Sequence, residues 1–298
     1  MPLISLQAAP FNLAVGDIIN AKILAYNDYG SSSMSPIGGT AKMVQVPDTP
    51  IDLANNPAIT QSQNISFTWS PGASNGGTVV LDYSIFYEQA TNVWQPLAVN
   101  YLTTSYTTTT GLLAGKTYNF KVYARNSVGL SLPATVSILA AQIPDVPGVP
   151  TTVVSGSNVI ISWAAPIFDG ASPLTSYTIL IRESDEISYS TQLTNCNGGS
   201  NAVLTFRTCS IPISILRSNP FNLAWGSSIN AIVRATNIVG SSAYSANGNG
   251  AIILTVTDPP VNLANVVTIT SGSQIGLTWA PGVNVGGTPL IDYRLTYD

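Results

Sequence analysis

TYNFKVYARNSVG, residues 117–129, sets the reading of the whole chain. Tyr118, Phe120, Val122 and Ala124 fall on one side of an extended backbone, and Asn119, Lys121, Tyr123 and Arg125 fall on the other. The run ends in Arg125-Asn126-Ser127-Val128-Gly129, residues suited to a tight turn. Upstream, Ile65, Phe67 and Trp69 alternate in the same way before the loop PGASNGG (71–77). Tyr83, Ile85 and Tyr87 follow, then NVWQPL (92–97) and the Thr-rich TTSYTTTT (103–110). No stretch has a convincing 3.6-residue period. Short period-2 runs separated by turn signals predict seven strands in a two-sheet sandwich.

The same figure returns along the chain. Residues 1–88 lie on residues 211–298 without a gap at an offset of 210, and more than two-fifths of the paired positions are identical. PFNLAVG (10–16) reappears as PFNLAWG (220–226), and FTWSPG (67–72) as LTWAPG (277–282). Repetition on this scale means an array of modules, which binds, spaces or builds. Four segments follow: the last half of a module at 1–46, complete modules at 47–143 and 144–257, and the first half of another at 258–298.

Trp69, Pro71, Gly76-Gly77 and Tyr83, with Leu112, Gly115, Tyr118 and Val122 to Gly129, together resemble the fibronectin type III family. The resemblance implies an all-β chain of tandem seven-stranded fibronectin type III/immunoglobulin-like β-sandwiches. It places Trp69, Trp163, Trp279, Tyr83, Tyr177 and Tyr293 in the module cores. It also puts Tyr118 at a tyrosine corner, its hydroxyl bonded back to the chain near Leu112. The second module carries Trp163, Pro166, Tyr177 and ATNIVG (235–240), with extra length that holds two cysteines. Aligning Asn237 with Asn126 puts Ile229 where Tyr118 sits, and Ile19 likewise. The corner bond is absent there, and PFNLAxG is expected to fix the crossover by packing Phe221 and Leu223. Two module types therefore alternate. The second resembles repeats of giant tandem-array surface proteins of microbial eukaryotes.

Composition narrows the function. Apolar residues make up 45% of the 298, enough for a core in each module, while charged residues make up only 8% against a norm of roughly 25%. Ten basic residues and a net charge of −4 provide no stripe for neutralising phosphates, which argues against nucleic acid. No apolar run is long enough to span a bilayer, and MPLISLQAAP lacks the charged start and cleavage site of a signal peptide. With no histidine, the commonest general base and metal ligand is missing. No catalytic Ser-His or Cys-His set can be assembled, and a Ser-Lys pair has no supporting motif. Asp185-Glu186 reads as a solvated turn. ASNGGT (73–78), NVGGT (284–288) and NGNGA (247–251) read as turns, without the lysine and helix of a phosphate loop. We expect no catalytic, cofactor or metal site, and no enzyme.

Cys196 and Cys209 bracket GGSN and suit a cross-strand or loop-closing disulfide; two free buried thiols are the other reading. An even cysteine count and a Ser/Thr/Asn-rich surface favour an extracellular or cell-surface setting. Asn64-Ile65-Ser66 is the one N-glycosylation sequon, and strand parity points Asn64 outward. Thr103, Thr104 and Thr107 to Thr110 (Thr107, Thr108, Thr109, Thr110) are candidates for O-linked sugars, against the plainer reading of a β-branched strand. Trp94 and Trp225 lie outside the core-strand positions and are expected to pack under local loops, the other reading being contact between modules or chains.

The junctions VPDTP (46–50), IPDVPGVP (143–150) and VTDPP (256–260) read as proline-stiffened linkers. One acid at each, Asp48, Asp145 or Asp258, falls short of the six to eight oxygens that Ca²⁺ takes. Segments 1–46 and 258–298 would each expose half a core, at about 25 cal/mol per Å² of apolar surface, with unpaired strand edges. Either copies join head to tail, residues 258–298 of one with 1–46 of the next, or further repeats of the same chain complete them. The expectation is a non-enzymatic structural protein of an extracellular fibre or filament. The alternative is an adhesion or receptor ectodomain that binds a protein or glycan through its loops.

Overall fold

The computed structural model describes residues 3–108 and 111–297, which fall in two compact units divided after Gln142. The first unit opens with α1 (Leu3–Gln7), β1 (Ile18–Ala21), β2 (Tyr26–Asn27), β3 (Gly30–Ser31) and β4 (Gly38–Lys42). β1 pairs with β4 and β2 with β3, both antiparallel. The expected strand through Ile23 and Ala25 does not form continuously. The strand at the same place in each complete module is hydrogen-bonded along its length to an earlier strand of that module; among the described residues this segment has no such neighbour.

Next come β5 (Ile51–Asn55), β6 (Ser66–Ser70), β7 (Asp82–Ala90), β8 (Val93–Tyr101), β9 (Ser105–Thr107), β10 (Thr117–Arg125) and β11 (Ala134–Leu139). They make two antiparallel sheets, β5-β6-β9 and β11-β10-β7-β8. β10 alternates strictly, with Tyr118, Phe120, Val122 and Ala124 buried. Those four meet Ile65, Phe67, Trp69, Tyr83, Ile85 and Ile138 in one core. Phe67 and Phe120, with ring centroids 4.7 Å apart, are where the two sheets touch. Across the β7–β10 pair, Arg125 closes a two-pronged ion pair on the buried Asp82 carboxylate. Asn92 takes φ 61° in the β7–β8 turn, and Pro96 sits on β8, the sheet edge, where no ladder donor is missed.

The second unit contains β12 (Thr151–Ser155), β13 (Asn158–Ser162), β14 (Ser176–Arg182), β15 (Tyr189–Ser190), α2 (Asn201–Phe206), β16 (Thr208–Pro212), α3 (Ile213–Leu216) and β17 (Ala231–Thr236). Its sheets are β12-β13-β16 and β15-β14-β17. The expected last strand is reduced to isolated bridges, Ala231↔Gly248 and Ser228↔Ile252, because Asn247–Gly250 breaks the ladder. Helix α2 was not foreseen. Ser200 caps it by accepting the Val203 N–H, and Arg207 closes it at φ 53°; one and a half turns are too short for a helical period to show in sequence.

The unit ends in β18 (Val261–Asn265) paired with β19 (Leu277–Ala280). The third strand expected after residue 288 is not formed. Its counterpart β7 is held by hydrogen bonds to β8 and β10, and residues 258–298 have neither.

Candidate functional site

Three copies of one aromatic pair define the chain's most informative surface. Trp69 packs edge-on against Tyr83 at 5.3 Å between centroids, and Trp163 against Tyr177 at 5.3 Å. Both pairs are buried, and burial pushes the Tyr83 and Tyr177 phenols above their ordinary range. Trp279 and Tyr293 adopt the same arrangement at 5.4 Å. Here the expected core positions are open, and Tyr293 is 40% exposed. The physical reason is local: among the described residues no second sheet lies opposite β18-β19. Pro260, Leu263, Trp279, Tyr293, Arg294 and Leu295 line an apolar hollow of about 240 Å³ on this face.

The segment before residue 47 repeats residues 211–256, the end of the second sandwich. Leu13 donates its N–H to the Leu6 carbonyl as Leu223 does to that of Leu216, and Gly16 bonds Met43 as Gly226 bonds Ile253. The backbone of PFNLAxG is thus the same in both copies. Burial is not. Phe221 is 1% exposed, Phe11 50%. In the complete module Phe221 and Leu223 are core residues and pack the crossover as expected, and Ile229 joins the same core. In the first module type the Tyr118 hydroxyl accepts the Leu113 N–H at 2.8 Å, one residue beyond Leu112.

Cys196 and Cys209 are bonded, with Cα atoms 5.1 Å apart, tying the loop before α2 to β16. The bridge is buried among Ile179, Val203 and Ile211. Trp94 lies under Lys121, whose Nζ stands 3.8 Å from the ring centroid, and Trp225 under Arg217 at 4.0 Å.

The sugar candidates divide. Thr108 is corrected: it is buried, and its hydroxyl accepts the Ile65 N–H at 2.9 Å, so no glycan fits there. Thr107 is half-buried and donates to Ser66 Oγ at 2.9 Å. Thr103 and Thr104 are exposed. Thr109 and Thr110 lie outside the described residues. Asn64 is half-buried with its Oδ1 shut away from solvent, so it projects less than strand parity suggested. Parity misleads because Ser66, next along, is itself buried under Thr60 and Thr107.

Among the described residues no three His, Cys, Asp or Glu side chains gather as a metal site. The junction acids act as caps: Asp48 Oδ2 accepts the Ser74 N–H at 2.9 Å, and Asp258 Oδ2 the Asn284 N–H at 3.0 Å. Asp185 closes its turn by accepting the Ile187 and Ser188 amides and the Ser188 hydroxyl; that hydroxyl bond first, then the amides, holds its carboxyl below the usual range. Sequence reasoning missed Asn126 as more than a turn residue. Its Nδ2 donates to the Gln45 and Asn75 carbonyls at 2.7 and 2.9 Å, while its Oδ1 accepts from Val128 and Gly129. The signal available was its recurrence as Asn237, which bonds the Asp169 carbonyl at 2.9 Å.

The family described as Fibronectin type III domain matches residues 52–138. The chain is 27% identical over 210 residues to Kelch domain-containing protein SSO1033 of Saccharolobus solfataricus, covering 68% of the chain and 27% of that protein. Against Protein sidekick-1 of Gallus gallus it is 25% identical over 290 residues, covering 93% of the chain and 12% of that protein. The crystal structure of chicken CNTN1 FN1-FN3 domains superposes with TM-score 0.39 and 17% identity, over 78% of this chain and 76% of that one. The chain thus spans about a quarter or less of these two curated relatives.

Proposed function

We propose that this chain, whose residues 52–138 are a fibronectin type III domain within a tandem array of β-sandwiches, is a non-enzymatic structural segment of an extracellular or cell-surface fibre. One observation carries the reading: the Trp279–Tyr293 pair stands in the geometry of the two closed cores, yet on an open apolar face. A surface already shaped as a module core takes the remaining strands of a module. Those strands come from another copy or from further repeats of the same chain. A contact of that kind does not close on itself, so it propagates. Covalent sugars on Thr103 or Thr104 would keep a surface so poor in charge hydrated.

The adhesion reading has its own support. Tyr26 and Tyr29 stand exposed on the β2–β3 turn, Tyr29 fully so, and exposed aromatics are frequent anchors at protein interfaces. Negative-stain images of the purified chain separate the two. Filaments with a regular axial repeat are expected where copies join head to tail; monodisperse particles at every concentration would remove that joining, leaving completion by further repeats as the one form of the fibre reading and the tyrosine loop as the rival surface.

A further inference from the structure

We infer that the PFNLAxG turn of one module and the Gly-Gly loop of the next are the two halves of a built joint that fixes the modules' relative setting. The inference is independent of whether fibres form. Linker residue Gln45 donates its N–H to the Gly76 carbonyl at 2.9 Å, and Asp48 donates to that of Ser74 at 2.9 Å. At the second crossing Thr255 donates to Gly286 at 3.0 Å and Asp258 to Asn284 at 2.8 Å. The linker is therefore zipped along the loop of the following module, and Asp48 and Asp258 return a side-chain bond to the same loop residues.

The glycines close the contact. A Cβ on Gly77 would lie 2.7 Å from the Met43 carbonyl oxygen and 2.9 Å from Gly16 N. A Cβ on Gly287 would lie 2.3 Å from Gly226 N. In both cases the three nearest atoms are backbone of the preceding module, which cannot swing aside. A positive φ explains a glycine in a turn, and Gly76, Gly77, Gly286 and Gly287 have φ between 73° and 87°. It does not explain why the turn presses on PFNLAxG. Both crossings show the contact, and Gly16 to Gly77 spans the same stretch of sequence as Gly226 to Gly287. The module at 144–257 carries IFDGASPL (167–174) in the corresponding loop, with no Gly-Gly. The surface is thus selective: a PFNLAxG module accepts a Gly-Gly module behind it.

The test is amide hydrogen exchange on the full chain carrying Gly77→Ala and Gly287→Ala. The Gln45, Asp48, Thr255 and Asp258 amides should exchange about tenfold faster or more, while Val122 and Ile179 in the sheets keep their protection. Unchanged exchange at those four overturns the joint. Gly16→Ala is the control, because it imposes similar backbone strain (φ 100°) while its Cβ comes no nearer than 3.9 Å to Gly77. Equal loosening by Gly16→Ala means strain and not contact is responsible, and it too overturns the inference. Should the double variant also lose Val122 protection, Asp48→Ala with Asp258→Ala decides. Those exposed carboxylates touch only the loop amides, so faster exchange at the four linker positions supports the joint and unchanged exchange defeats it.

Discussion

Tyr118 and Ile229 solve one crossover in two ways, and the difference is measurable. The Tyr118 hydroxyl satisfies the Leu113 N–H, so Tyr118→Phe should cost about 0.5–1.5 kcal/mol of stability in residues 47–142, read as a lowered urea midpoint with unchanged slope. A midpoint equal to that of the unsubstituted chain would mean water replaces the bond at no loss. Tyrosines also set the pH response. Burial raises Tyr83, Tyr106 and Tyr177 in the folded state, so the folded protein holds protons that the unfolded chain releases near pH 10. Their contribution is complete below that pH and is lost as pH rises through the raised values. With no histidine and no free thiol among the described residues, Tm should be flat from about pH 6 to 9 and fall beyond about 10. A decline beginning near neutrality would contradict this. At this scale the alternating aromatics were legible because burial follows side-chain parity. Thr108 was not, because its burial comes from a loop bond to Ile65 that parity does not encode.

PFNLAxG shows what an element owes to its surroundings. Its backbone turns are alike in both copies, so the turn is local and legible in sequence. Its energetic worth is tertiary. Phe221→Ala should cost about 3–5 kcal/mol, while Phe11→Ala in the isolated chain should cost little, since Phe11 already faces water. Equal losses, measured by thermal unfolding of each variant, would mean the first segment is covered in solution. The disulfide belongs to the same scale: Cys196→Ser with Cys209→Ser should remove about 2–4 kcal/mol. Calorimetry should place that loss in the second unit, leaving the transition of the first in place. The extra length between Trp163 and Asn237 was visible in sequence, but α2 inside it was not. A six-residue helix held by a cap and a buried Val203 leaves no periodic trace.

For the whole molecule, the issue is which strands close the open face of residues 258–298. Residues 1–46 were the first candidate, yet they repeat the end of the second module type, whereas 258–298 repeats the start of the first. Placing Asn27 on Asn126 puts Ala21 where Phe120 fills the contact with Phe67, and Leu277 already stands in place of Phe67. Losing a phenyl ring from a core costs about 3–5 kcal/mol, and the corner bond of Tyr118 is forfeited as well. Strands like those of residues 89–142 therefore fit this face better than those of residues 1–46. A chain extended after Asp298 by residues 89–142 should bury Trp279, and one extended by residues 1–46 should do so incompletely. Fluorotryptophan labelling gives five resonances in the chain and in its 1–46 extension, and six in the 89–142 extension, which carries a second copy of Trp94; the Trp279 resonance is assigned by Trp279→Phe. In the first extension the Trp279 signal should become insensitive to replacing H₂O with D₂O, as a buried indole is. Equal protection in both extensions would show that the chimeric core packs and would restore the head-to-tail pairing.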